Sequence, residues 1–180
     1  MARAIGKVFF QCRPGRLAAL IIVLVSGLMA CAPAPFPPIK SSGASLKEKV
    51  PPSDLEGHFI RLINEERGRQ RLAPLSFSPL LARTAEAHSQ DMARNNFFSH
   101  RSPDQGGTEE RVKRSGYRWW AYGENIGCGQ ETPEKILAAW MKSSSHRENI
   151  LGATYTEVGI GFIKGGECRY YWTALFGRPR

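Results

Sequence analysis

Val158-Gly159-Ile160-Gly161-Phe162-Ile163 alternates strictly, with glycine on one face. A period of two turns successive side chains to opposite sides, so this is a strand and not a helix. Lys164-Gly165-Gly166-Glu167 follows as a turn, and Cys168 to Phe176, CRYYWTALF, is aromatic and β-prone. Two such runs around Gly-Gly read as an antiparallel hairpin. Upstream the period changes to that of helices. Ser53 and Glu56 form a capping box ahead of Leu55, Phe59, Leu62 and Ile63, with Gly68 near the stop. Ser78-Pro79 opens a second helix whose stripe is Leu81, Ala85, His88 and Met92, fraying by Asn95-Asn96. Thr132-Pro133 opens a third, with Ile136, Leu137, Trp140 and Met141 as its apolar face. Residues 97–131 form a long Gly-rich segment with a short helix expected near Glu109–Ser115. Helices first and a hairpin last predict an α+β domain over residues 53–180: a small antiparallel sheet covered by helices. A structureless stretch as long as 97–131 inside a compact domain is usually functional.

The N-terminal region reads differently. Arg3, Lys7, Arg13 and Arg16 precede an uncharged stretch, LAALIIVLVSGLMA, from Leu17 to Ala30. A basic segment, a short apolar run and small residues describe an export signal over residues 1–30. The run is shorter than the roughly 20 residues of a bilayer span. Leu28-Met29-Ala30-Cys31 resembles the bacterial lipobox, which implies cleavage before Cys31 and lipidation of its thiol. A plain signal peptide or an uncleaved anchor helix are the alternatives. Residues 31–52 would then be the lipidated N-terminus and a Pro/Ser-rich tether, with polyproline character at its start. In a cell with an outer membrane, that membrane or the periplasmic face is favoured, since Ala32 after the cysteine carries no retention signal of the Asp type.

Export changes the charge argument. The full chain carries 25 basic and 16 acidic residues, +9 in all. Without residues 1–30 the balance falls to 21 against 16, or +5. No Lys/Arg cluster interleaved with aromatics remains of the kind nucleic-acid binders show, so nucleic acid is not an expected partner. The expected partner is the membrane, through the anchor; oligomeric state has no signature in the sequence. Cys128 and Cys168 remain in the exported part. Outside the cytoplasm an isolated pair is most simply a disulfide, the alternative being two separate buried thiols.

Four histidines follow the tether. His58 belongs to the surface or boundary of the first helix, and His88 to the buried stripe of the second. His100 follows Asn95-Asn96-Phe97-Phe98-Ser99 in loop sequence, and His146 follows Ser143-Ser144-Ser145 after the third helix. Glu124 sits in Gly123-Glu124-Asn125-Ile126, read as a loop. Two histidines and one glutamate could form a polar network or a divalent metal site. No H-E-x-x-H, G-x-S-x-G or P-loop pattern is present.

Phe98-Ser99-His100, Gly123-Glu124-Asn125-Ile126, Trp140 with His146 to Leu151, Glu157 to Gly161 and Tyr171 to Gly177 occur in that order. Together they resemble the CAP superfamily of cysteine-rich secretory, antigen 5 and pathogenesis-related proteins, in its bacterial SCP-domain branch. The match covers roughly residues 55–178. It implies a three-layer α-β-α sandwich with a small central antiparallel sheet, and at least one further strand within 117–130. It also implies a shallow cleft in which His100, Glu124 and His146 match two histidines and a glutamate, with zinc the usual metal. The family's second acidic position falls on Ser143. The resemblance makes Asn125 and Asn149 structural, and Trp140 and Trp172 core residues.

Two functions follow as expectations. One is an envelope-anchored binding module holding a divalent metal and a lipid-like or envelope ligand, with Tyr117, Trp119, Trp120 and Tyr122 either an exposed aromatic surface or a core plug. The other is a metal-dependent hydrolase acting on envelope or secreted substrates. There Glu124 would be the base on a metal-polarised water, or Ser143 a nucleophile with His146 as base.

Overall fold

The computed structural model describes residues 51–180. The signal-type segment, Cys31 and all but the end of the tether lie outside the described residues. The element order is α1 (Asp54–Arg69), β1 (Ser76–Phe77), α2 (Pro79–Asn95), α3 (Thr108–Arg114), β2 (Trp119–Cys128), α4 (Pro133–Lys142), α5 (Ser144–Ile150), β3 (Glu157–Gly165) and β4 (Arg169–Pro179). No described helix is long and apolar enough to cross a membrane.

The strands form one sheet in the order β1-β3-β4-β2. Alternation along β4 divides the interior in two. Trp172, Ala174 and Phe176 face α1, α4 and α5, where they meet Phe59, Ile63, Ile136, Trp140 and Ile150. Leu175 faces the other way, onto Leu81 and Ala85 of α2 and Val112 of α3. Helices therefore cover both faces of the sheet, giving the α-β-α layering. The glycine face of β3 lies under α2. A Cβ on Gly159 would overlap the backbone of Leu81–Ala82, and one on Gly161 that of Ala85–Glu86.

Capping follows the local sequence. Ser53 Oγ accepts from the Glu56 amide at 3.3 Å, while Glu56 accepts from the Ser53 amide at 2.8 Å. Arg67 is 1% exposed and donates to the carbonyls of Ala73, Ile150 and Gly152, tying the end of α1 to the end of α5. With a fourth bond to the Tyr155 carbonyl, its guanidinium meets carbonyls instead of a carboxylate, so no second charge is buried. Cys128 and Cys168 form a disulfide with Cα atoms 5.5 Å apart, joining the end of β2 to the β3–β4 turn across 40 residues of sequence. In the chain-entropy view such a closure contributes about 3–4 kcal/mol.

The structure departs from the sequence expectations in three places. The sheet is mixed instead of antiparallel, because the short β1 pairs with β3 in parallel, Ser76 opposite Glu157. Gly123-Glu124-Asn125-Ile126 is strand, as the family resemblance implied for 117–130, and not the loop that its own residues suggest. Its glycines mark close approaches: a Cβ on Gly123 would meet the Tyr155 hydroxyl at 2.6 Å, and one on Gly127 would overlap Ile136. His146 lies inside a helix. Ser143 adopts extended backbone, φ −95° and ψ 125°, which ends α4 and starts α5 at once.

Candidate functional site

β2 is an edge strand, and its free edge is where the chain's polar motifs meet. An unpaired edge offers alternate carbonyls to solvent or to another chain. Here side chains from the α4–α5 side occupy three of them in succession. Tyr155 donates to the Tyr122 carbonyl at 3.2 Å, Asn149 to that of Glu124 at 3.2 Å, and Trp140 Nε1 to that of Ile126 at 3.0 Å. Asn125 Nδ2 returns to the His146 carbonyl at 2.9 Å. These bonds seat α5, and with it His146, against the strand that carries Glu124.

Glu124 points to the opposite face, towards α3 and the loop after α2. Three partners hold its carboxylate. Oε2 accepts from Arg111 at 2.7 Å, and Oε1 accepts from Thr108 Oγ1 and meets His100 Nδ1, each at 2.8 Å. The side chains of Glu124 and Arg111 are 3% and 2% exposed. Burial raises the carboxyl pKa, but the bond to His100 and the charge and hydrogen bonds of Arg111 outweigh it, so the group stays below its ordinary value. Arg111 also donates to the carbonyls of His100 and Gly106, each at 2.9 Å, fixing the loop that carries His100.

His146 Nδ1 lies 2.8 Å from Ser143 Oγ, and its ring stacks on Trp140 with centroids 6.2 Å apart. Burial, and then the charge of His100, push its pKa below the ordinary histidine value. Neither Nε2 atom has a hydrogen-bond partner among the described residues. No group of three or more His, Cys, Asp or Glu among the described residues is arranged to hold a metal ion.

The other singled-out residues take separate places. His58 bonds Glu134 on the surface at 2.6 Å. His88 is fully buried, with Nε2 on the Ser99 carbonyl at 3.0 Å, one residue before His100. Phe59 stacks on Trp140 and meets Trp172 edge-on. The four aromatics of 117–122 divide: Tyr117 is 4% exposed and part of the core, while Trp120 is 68% exposed beneath the Arg180 guanidinium. Sequence reasoning missed Arg111, Thr108 and Tyr155. In TEERVKR nothing distinguishes the buried Arg111 from its exposed neighbours except its place one residue before the buried Val112.

The profile of the cysteine-rich secretory protein family, CAP, matches residues 60–176. Bacillus subtilis YkwD is 40% identical over 124 residues, and the membrane protein YlbC of the same organism 32% over 121. The aligned regions are 69% and 67% of this chain, but only 47% and 34% of those proteins. Among solved structures, an extracellular SCP-domain protein of Bacillus anthracis superposes with a TM-score of 0.62 at 32% identity, covering 68% of this chain and 40% of that one. An outer surface protein of Borrelia burgdorferi shares the fold at 19% identity, with a TM-score of 0.62 over 69% of this chain and 92% of its own. The chain belongs to the cysteine-rich secretory protein (CAP) family.

Proposed function

We propose that this is an extracytoplasmic binding module, tethered to the cell envelope through Cys31, and not a hydrolase. The observation that carries this reading is the enclosure of Glu124, whose side chain is 3% exposed and held by three partners. A general base needs a free lone pair within reach of the water it activates. Both Glu124 oxygens are already engaged by Arg111, Thr108 and His100. Its lowered pKa further weakens it as a base. The Ser143–His146 contact is that of a helix N-cap with the side chain three residues on. A nucleophilic pair would need a carboxylate to orient the imidazole, and Glu124 is committed elsewhere.

The same residues fit a divalent cation held by two imidazoles. Each Nδ1 is fixed by a partner, Glu124 for His100 and Ser143 for His146, which leaves Nε2 as the metal-facing atom. The lowered pKa of His146 keeps it neutral, as a ligand must be. Glu124 would orient His100 and not enter the coordination sphere. A bound zinc would supply a Lewis-acid contact to an oxygen of the ligand. A lipid-like or envelope ligand is the partner we expect beside it. The likeness to proteins described as extracellular and outer-surface, and the lipobox-like Leu28 to Cys31, support an exported and lipid-anchored location.

Calorimetry with zinc on wild type, His100→Ala and His146→Ala tests the cleft. We expect modest affinity in wild type, abolished in either variant, with Glu124→Gln weakening uptake about 10- to 100-fold. Undiminished binding in the double histidine variant would overturn the site. Turnover of ester or amide substrates that tracks Glu124 would favour the hydrolase instead. Fractionation of Cys31→Ala tests the anchor: the protein should leave the membrane or remain unprocessed.

A further inference from the structure

Arg111 serves a second surface in which Glu124 has no part. It lines a groove of about 270 Å³ between α2 and α3, together with Arg83, Thr84, Gln105, Arg114 and Ser115. Three arginines line this space and no acidic residue does. Arg83 forms no ion pair among the described residues. Arg114 is held in place by one donor arm on the Gln105 carbonyl at 2.9 Å.

The donor inventory of Arg111 identifies what is missing. Its NH1 serves two carbonyls and its NH2 serves Glu124 Oε2 and Thr108 Oγ1. Its Nε is buried and has no partner. A buried guanidinium N–H without an acceptor is costly, and native interiors rarely leave one. The Thr84 and Ser115 hydroxyls have spent their protons on the backbone carbonyls of Leu80 and Val112. They keep acceptor lone pairs, as does the Gln105 amide, but no carboxylate lines the groove, so it lacks negative charge.

We propose that the α2–α3 groove binds a phosphate group through Arg83 and Arg114, with Arg111 Nε as the buried donor. Planar guanidinium forks match the oxygens of a phosphate and bind them bidentately. The volume exceeds that of a bare ion, so a phosphomonoester such as a glycerol phosphate headgroup is accommodated as well as free phosphate. Arg111 also positions Glu124 and the His100 loop, so an occupied groove bears on the cleft through a single side chain. The proposal stands on the groove alone and does not depend on metal binding or on the anchor.

The test uses the full chain, kept in detergent wherever it partitions to membranes. Thermal melts and calorimetry are run with inorganic phosphate, with glycerol phosphate, and with sodium chloride at equal ionic strength. We expect saturable stabilisation by phosphate beyond that of chloride. Arg83→Gln with Arg114→Gln should weaken it at least about tenfold, while Arg83→Lys with Arg114→Lys retains part of it. Both arginines are exposed, and an unchanged ligand-free melt of the variants confirms their folding. Tighter binding of glycerol phosphate than of phosphate assigns the groove to a headgroup, and equal binding assigns it to free phosphate. No response beyond chloride, or an equal response in the glutamine pair, would overturn the proposal.

Discussion

Asn149 Nδ2 donates to the Glu124 carbonyl at 3.2 Å and to Asn125 Oδ1 at 2.8 Å, so one amide on α5 grips two consecutive residues of the edge strand. Asn125 is fully buried and passes the link on to the His146 carbonyl. The bonds thereby link, through β2, Glu124 and His100 on one side to His146 on the other. Asn149→Ala removes both bonds and strands their acceptors. We expect a stability loss of about 1–3 kcal/mol in urea unfolding, the usual cost of a buried polar group left unpaired. A change within about 0.5 kcal/mol, typical of a plain surface position, would show that the amide is dispensable.

The same chemical change, glycine to alanine, should have opposite signs at two sites. A Cβ at Gly161 overlaps backbone atoms of Ala85 and Glu86, which cannot rotate away, so α2 must lift off the sheet. Overpacking of this kind typically costs about 1–3 kcal/mol, and a backbone clash belongs at or above the upper end. Gly68 lies in α1, exposed, and a Cβ there would meet nothing within 4 Å. Gly68→Ala should stabilise by about 0.4–1 kcal/mol through reduced freedom of the unfolded chain. Parallel denaturation of both variants checks the pair; destabilisation at Gly68 or tolerance at Gly161 would contradict it.

These glycines also mark how far the sequence could be read. Strict alternation makes the strand at 157–165 legible, because nothing but a period of two explains Val-Gly-Ile-Gly. The caps at Ser53 and Thr132 work because their signal is local: a hydroxyl and the amide three residues on. β2 was not legible as a strand from its own residues. Gly123 and Gly127 imitate a loop, yet each is small because Tyr155 or Ile136, distant in sequence, presses on it. α5 hides for the same reason, since Ser143-Ser144-Ser145 reads as loop until its first serine is seen to cap a helix. His100, Glu124 and His146 could be singled out as candidates from the motif order, whereas Arg111 could not. Its role depends on a carboxylate 13 residues away that only the fold brings within 2.7 Å.

The Arg111–Glu124 pair should be far more costly to break than to replace. Both side chains are almost fully enclosed. Removing one partner leaves an uncompensated buried charge, which typically costs about 3–5 kcal/mol. Glu124→Gln keeps the volume and should lose part of that amount; Arg111→Met should lose more, because four bonds disappear with it. The double variant Arg111→Met with Glu124→Leu should recover much of the loss, since no charge then remains buried. A double-mutant cycle in urea measures the coupling. Additive losses would show that the two groups do not depend on each other.

Stability should fall with acidity in two stages. His88 is wholly buried, and desolvation pulls its pKa below the ordinary value more strongly than the nearby Glu124 raises it. His146 is lowered by burial and by the charge of His100. In the unfolded chain both titrate near about 6.5. Below that pH the unfolded state binds more protons than the folded one, so stability rises with pH and is lost on acidification. The first decline therefore begins near pH 6.5 and continues down towards the folded values. Glu124 supplies the second. Its folded pKa is lowered, so its contribution is complete above the unfolded carboxylate value of about 4.3 and disappears as pH falls through the folded one. Urea unfolding of metal-free protein between pH 7.5 and pH 3, with chelator present, resolves both stages. His146→Gln should flatten the first stage in part and leave the second intact, because His88 still titrates and Glu124 keeps its partners. Constant stability from pH 7.5 to pH 5 in the wild type would show that neither imidazole is held neutral by the fold.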